Sequence, residues 1–148
     1  MLEQDKTEER KARHHITQED FTPECVVNML LPEDMNHPLY TDFKKTFLDP
    51  CCGTGNIIIV VLKRRLDHCK NDNDIVNAVK TIYGTELMQD NVDELKSRVI
   101  MTIKESEIQC DMDKINSILN SNIICTDFFK WDYEKWKPIE EIKEITLW

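Results

Sequence analysis

The 148-residue sequence predicts an α/β protein with about three parallel strands and flanking helices. Short β-rich runs, TFLD, TIYGTE and NIICT, alternate along the chain with longer segments of helical period, the order of a parallel sheet with right-handed crossovers. The first run leads into FLDPCCGTGN, residues 47–56, which holds two of the chain's three glycines but no two-residue hairpin signature. Its return partner therefore lies further along the chain, and helices on both faces would make a three-layer sheet.

Each element has a local reason. The opening MLEQDKTEERKARHHITQED is polar and lacks the apolar core of a signal peptide. Residues 1–15 read as a polar lead-in, and 16–148 as one partial domain. In FTPECVVNMLL, Thr22 can cap a helix with Pro23 at the first helical position. Val26, Val27, Leu30 and Leu31 would form its apolar face, and Pro32 would stop it. A loop, PEDMNHPLYTD, leads to TFLD. The β-branched run in NIIIVVLKRRLDHC suits a strand by propensity. A helix fits better directly after the Gly-x-Gly turn, with Lys63, Arg64, Arg65 and His68 near its C-terminal end complementing the dipole.

Residues 71–74, NDND, read as a turn-like loop, and IVNAV continues as a short helical turn. TIYGTE at 81–86 is the second buried strand. Leu87 to Ser106 is a helix with Val92, Leu95, Val99 and Ile103 on one face. A second helix covers about 107–120, carried by Ile108, Met112, Ile115 and Leu119. NIICT at 122–126 is the third strand, followed by DFFKWD. The tail YEKWKPIEEIKEITLW is charged, with Ile139, Ile142 and Ile145 three residues apart.

Composition narrows the class. At 41% apolar and 32% charged, the chain is ordinary for a soluble globular protein, and no run approaches the length of a membrane span. Cytoplasmic location is the expectation. The six cysteines show no C-x-x-C pair, so reduced thiols are expected rather than disulfides or zinc. A net charge of −9 argues against tight DNA binding by this chain alone, since phosphate contacts dominate such affinity. The short basic clusters, Arg10–Arg13 and Lys63–Arg65, read as solvated faces.

Three strand ends carry the chemistry. Ligands of open α/β sheets bind outside the carboxyl ends of the strands. Glycines after the first strand let the backbone turn and approach a ligand, and the following helix start offers N–H groups to an anionic group. Glu86 ends the second strand, where an acid can grip ribose hydroxyls. Asp127-Phe128 follows the third. Each has a plain structural reading when taken alone: a tight turn, a helix-start acid, an N-cap beside a core phenylalanine. Together, at successive strand ends, they point to one shared crevice.

In that order TPECVVNML, DPCCGTGN, YGTELMQDNV and ICTDFF resemble the S-adenosylmethionine-binding motifs of adenine-specific DNA methyltransferases. The likeness is strongest to the modification subunits of type I restriction–modification systems and their gamma-class relatives, and it covers residues ~16–130. The resemblance implies a Rossmann-like methyltransferase fold with S-adenosylmethionine as cofactor. Thr22 and Pro23 would line its methionine end, while Asp49, Pro50, Gly53 and Gly55 would form the floor under its amino-acid part. Glu86 would hold the ribose, with Leu87 or Met88 against the adenine. Asp127 would accept from the adenine amino group, and Phe128 would stack on the ring.

One departure matters. The family's fourth strand ends in an (Asn/Asp/Ser)-Pro-Pro-aromatic loop that holds the flipped target base. No Pro-Pro occurs in this sequence. No catalytic residue is therefore assigned, and methylation of DNA by these residues alone is not expected. The chain would be the first piece of a divided enzyme, a shortened piece of a longer one, or a degenerate relative. A regulatory or interaction protein that reuses the fold, acting for example on a restriction–modification system, is the alternative. In the family's strand order, 3-2-1-4, TFLD without a fourth strand is an exposed sheet edge. A homo-oligomer, or a second chain completing the sheet, is expected, with DNA engaged only alongside a partner.

Overall fold

The computed structural model describes residues 22–140 together with the single residue Glu9. Arg10–Arg13 and residues 141–148, with Ile142 and Ile145, lie outside the described residues. The first element whose bounds are described is helix α1 (Glu24–Leu30). Its N-cap is Pro23, at φ −60° and ψ 149°, so Thr22 lies one position before the cap expected of it. A proline φ suits extended backbone as well as helix. The Pro23 carbonyl already accepts the Val26 and Val27 N–H groups, both at 3.0 Å. Only Val27 and Leu31 of the expected apolar face are buried, whereas Val26 and Leu30 are 38% and 65% exposed. A two-turn helix seated on one neighbour buries a single i, i+4 stripe.

The loop after Pro32 contains a short helix, α2 (Pro38–Thr41), capped by the His37 ring accepting from Leu39 N–H at 3.1 Å. Strand β1 (Phe47–Asp49) precedes the glycine loop and α3 (Asn56–Leu66), which settles the β-branched run as helix. The basic end of α3 differs from expectation. Lys63 is exposed, but Arg64 is half-buried and Arg65 is fully buried. The Arg65 guanidinium donates to the carbonyls of Leu39, Lys45 and Ala78 and to the Thr81 hydroxyl, all within 2.7–2.9 Å. Arg64 donates to the Pro32 carbonyl at 2.8 Å and the Tyr40 hydroxyl at 2.6 Å. His68 lies beyond the helix, its Nε2 2.8 Å from the Met35 carbonyl.

NDND is the start of a helix rather than a loop. Asn71 caps α4 (Asp72–Lys80) by accepting from Asp74 N–H, and Asp72 and Asp74 complement the dipole in the first turn. Strand β2 (Ile82–Glu86) leads to α5 (Gln89–Glu105), which starts two residues later than predicted; its four predicted core residues are all buried. Helix α6 (Met112–Asn122) also starts late, because Asp111 caps it by accepting from Asp113 and Lys114 N–H groups. Strand β3 (Ile123–Cys125) follows directly. A 3₁₀ turn (Phe128–Lys130) then opens an antiparallel hairpin of β4 (Trp131–Asp132) and β5 (Lys137–Pro138).

The main sheet is parallel in the order β1-β2-β3. Among the described residues β1 has β2 as its sole strand partner, and it lies at the edge expected of it. Right-handed crossovers on a sheet that advances in one direction place all connecting helices on one face. Accordingly, buried residues from α1, α3, α4, α5 and α6 join Ile82 and Ile123 in one core. Among the described residues the expected three layers are therefore reduced to helices on one face of the sheet, with only the small hairpin on the other. The opposite face carries Leu48, Tyr83, Thr85 and Ile124, and the hairpin roofs part of it. There Trp136 meets Tyr83 edge-on at 4.8 Å, and the Tyr133 hydroxyl lies 3.1 Å from Thr85 Oγ1.

Candidate functional site

The glycine loop is shaped by the two residues that break it. Gly53 and Gly55 have φ of 54° and 92°, left-handed values that an L-residue adopts only with strain. Gly55 is also the N-cap of α3, and among the described residues no side chain caps that helix. Helix starts of this kind present N–H groups that can bind an anionic group. A Cβ on Gly55 would run into the Leu95 Cδ1 methyl of α5 and sit 3.1 Å from Cγ. The loop is therefore pressed close against α5 as well as tightly turned.

Beside the loop is a cleft of about 30 Å³, lined by Thr22, Asp49, Cys51, Cys52, Gly53, Thr54, Asn56 and Ile57. Three residues singled out in the sequence, Thr22, Asp49 and Gly53, share its wall. Asp49 Oδ1 accepts from Cys51 N–H at 3.3 Å. Burial pushes the Asp49 carboxyl above its ordinary value, that one N–H pulls it back, and the like charge of Glu86 raises it further. The Cys52 thiol, buried beside both acids, is also pushed up and stays protonated. Cys69, buried elsewhere in the core, is pushed up to about 12.

Glu86 reaches the loop from β2. Its Oε2 accepts from Gly53 N–H at 3.0 Å, and Oε1 accepts from Met88 N–H at 3.1 Å and Asn91 Nδ2 at 3.2 Å. The carboxylate thus pins the glycine loop to the β2–α5 turn and retains lone-pair capacity on Oε2. Pro50 belongs to the same seam, its carbonyl accepting from Thr85 Oγ1 at 2.6 Å. Met88 is the N-cap of α5, and Leu87 is exposed with its carbonyl 3.4 Å from Cys125 Sγ.

The third strand's residues stand apart from the cleft. Asp127 caps the 3₁₀ turn, accepting from Phe129 N–H at 2.9 Å. Phe128 is partly exposed rather than core, with its ring 5.5 Å from that of Tyr133 and 5.0 Å from that of Phe129. They lie two strands from β1, which at ordinary spacing is about 10 Å across the sheet. Pro23, exposed at the mouth of α1, is absent from the cleft lining.

Three residues of the site carry no sequence signal of the kind used above. Asn56 and Arg98 tie the loop to its surroundings, and the fully buried Asn91 holds Glu86. A polar residue on the inward face of α5 is the one hint that could have found Asn91. Among the described residues no three His, Cys, Asp or Glu side chains gather to hold a metal ion. No described helix is long and apolar enough to cross a membrane. Comparison of the chain with protein-family models, curated proteins and solved structures gives no match.

Proposed function

We propose that this chain binds S-adenosylmethionine as a Rossmann-like, methyltransferase-type domain. The observation that carries the reading is the placement of Asp49, Glu86 and Asp127 at or just past the carboxyl ends of β1, β2 and β3, adjacent strands of one parallel sheet. The register staggers them: Asp49 pairs with Gly84 and Glu86 with Cys125, so an extended ligand crossing those ends obliquely meets Asp49 and Glu86 about 8 Å apart, with Asp127 two residues beyond β3. The amino-acid end belongs at Asp49, Gly53 and the open first turn of α3, the ribose at Glu86, and the adenine beside Asp127 and Phe128. A sulfonium cation with an ammonium group suits a floor where the charge acting on Asp49 is another carboxylate. The cofactor supplies an electrophilic methyl group. The chain's own residues bind and orient it through backbone amides and carboxylates.

Ligand crevices of doubly wound sheets form where the strand order reverses. Here the order runs one way, so the β1 loop supplies one wall of such a crevice. A strand added beside β1 would raise the second wall, and with it the groups that hold an acceptor base. We therefore assign methyl transfer to DNA to an assembly, not to residues 1–148 alone, with a further strand donor at β1 from the same polypeptide or a second chain.

Calorimetric titration with S-adenosylmethionine and S-adenosylhomocysteine tests the reading. Saturable binding weakened at least ~10-fold by Glu86→Gln, the effect of one charge-assisted hydrogen bond, supports it. No binding at millimolar ligand refutes it. The internal engagement of both Glu86 oxygens and the narrowness of the cleft favour a second reading: a protein that keeps the fold as an interaction platform for a restriction–modification complex. That reading requires normal folding with no cofactor response.

A further inference from the structure

Thr22 lines the cleft together with Asp49, and among the described residues one side chain holds its main chain. Asn56, the first residue of α3, donates from Nδ2 to the Thr22 carbonyl at 2.8 Å. Its Oδ1 accepts from Arg98 Nη1 at 2.8 Å, and the same nitrogen donates to the Thr54 carbonyl, also at 2.8 Å. The two partners fix the amide's orientation, since a carbonyl can only accept and a guanidinium can only donate. Arg98 rises from α5, the helix pressed against Gly55. The relay therefore runs from a helix packed in the core, through the glycine loop, to the residues that precede α1.

Size gives the relay a purpose. A cleft of about 30 Å³ has room for roughly two waters, less than an ammonium-carboxylate group requires. Asp49 and Gly53 are tied into the sheet and to Glu86, whereas the relay's contact with the Thr22 wall is one neutral hydrogen bond. We infer that Asn56 is a positioning residue that latches Thr22, at the entry to α1, against the cleft, with Arg98 as its anchor, so that entry to the Asp49 floor is gated by one side-chain amide. The gating of ligand entry rests on the function proposed above; the latch itself does not.

The test separates the two halves of the amide. Asn56→Asp keeps an oxygen for Arg98 and gains an ion pair there, but it turns an acceptor toward the Thr22 carbonyl. Hydrogen exchange without ligand is read at Val26 and Val27, whose N–H groups bond to Pro23, with β2 amides as the control for global folding. Exchange at Val26 and Val27 is expected to accelerate about tenfold in Asn56→Asp, the loss of one ordinary hydrogen bond plus an acceptor–acceptor contact, while β2 is unchanged. Unchanged exchange at Val26 and Val27 overturns the latch. Should Asn56→Asp also release β2, Asn56→Ser removes the amide without adding charge and reads the same contrast. A parallel S-adenosylmethionine titration should show faster association in Asn56→Asp, and an unchanged association rate overturns the gating. If wild type binds no cofactor, the proposed function fails and the exchange result still decides the latch.

Discussion

Replacing Gly55 by alanine probes the geometry on which the site depends. At φ 92° the alanine backbone would occupy left-handed space, at a cost of about 1–2 kcal/mol. Its Cβ would also enter the Leu95 Cδ1 methyl, and Leu95 is fully buried in α5, with little room to turn away. Overpacking of that kind costs about 1–3 kcal/mol. Together these come to about 2–5 kcal/mol, which urea denaturation would show as a midpoint lowered by roughly 1–2 M. A double-mutant cycle isolates the steric part. Leu95→Ala alone costs about 2–5 kcal/mol through its cavity, but with Gly55→Ala it makes space for the new Cβ. The double variant should then be more stable than the sum of the singles by about 1–3 kcal/mol, leaving only the backbone strain. Stability of Gly55→Ala within about 0.5 kcal/mol of wild type, or strict additivity in the cycle, would refute the close approach of loop and helix.

Arg65→Met should cost about 3–5 kcal/mol or abolish folding, since it removes a fully buried guanidinium from the buried Ala78 carbonyl, the partly buried Leu39 and Lys45 carbonyls and the Thr81 hydroxyl; circular dichroism against urea checks it, and a near-neutral result would mean those groups find other partners. Because the folded-state value of Asp49 is raised, its contribution to stability is fully present below the unfolded value of 3.8 and is lost as pH rises through the raised folded value. Asp49→Asn should therefore gain on wild type as pH climbs through that window, and a constant difference in melting temperature across it would contradict the burial of the carboxyl. Leu48, 40% exposed on the edge strand, should mediate self-association. Size exclusion with light scattering should show oligomer lost in Leu48→Lys, and a wild-type protein that stays monomeric without a partner would remove the case for an adhesive edge.

Much of this molecule can be read from local patterns, and the exceptions share a cause. The three strands of the main sheet appear within one residue of their predicted bounds because short β-rich runs end at acids, glycines or polar turns. Gly53 and Gly55 were identifiable because glycine is otherwise so scarce in the chain. Local pattern fails where a residue's partner is distant. Arg64 and Arg65 look like a solvated basic run until the carbonyls of Pro32, Leu39, Lys45 and Ala78 fold around them. The latch at Asn56 depends on Thr22 and Arg98, 34 and 42 positions away. The aromatic hairpin resembled a charged tail because its strands are two residues each. Asp127 and Phe128 were correctly placed after β3, yet strand order alone keeps them from the cleft lined by Thr22, Asp49 and Gly53.

The one-way run of the sheet also bears on how the chain acquires its structure. Each strand hydrogen-bonds to the next strand in sequence, β1 to β2 and β2 to β3. No pairing has to wait for a strand made much later, and loop closure stays short for a parallel sheet. A ribosome-bound chain could form β1, α3, α4 and β2 as a unit before α5 has emerged, then add β3 to a template already in place. The pinning of Gly53 by Glu86 would be available at that first stage. The Gly53–Glu86 contact is thus within reach early in synthesis, whereas the contacts that Leu95, Asn91 and Arg98 make with the cradle wait for α5.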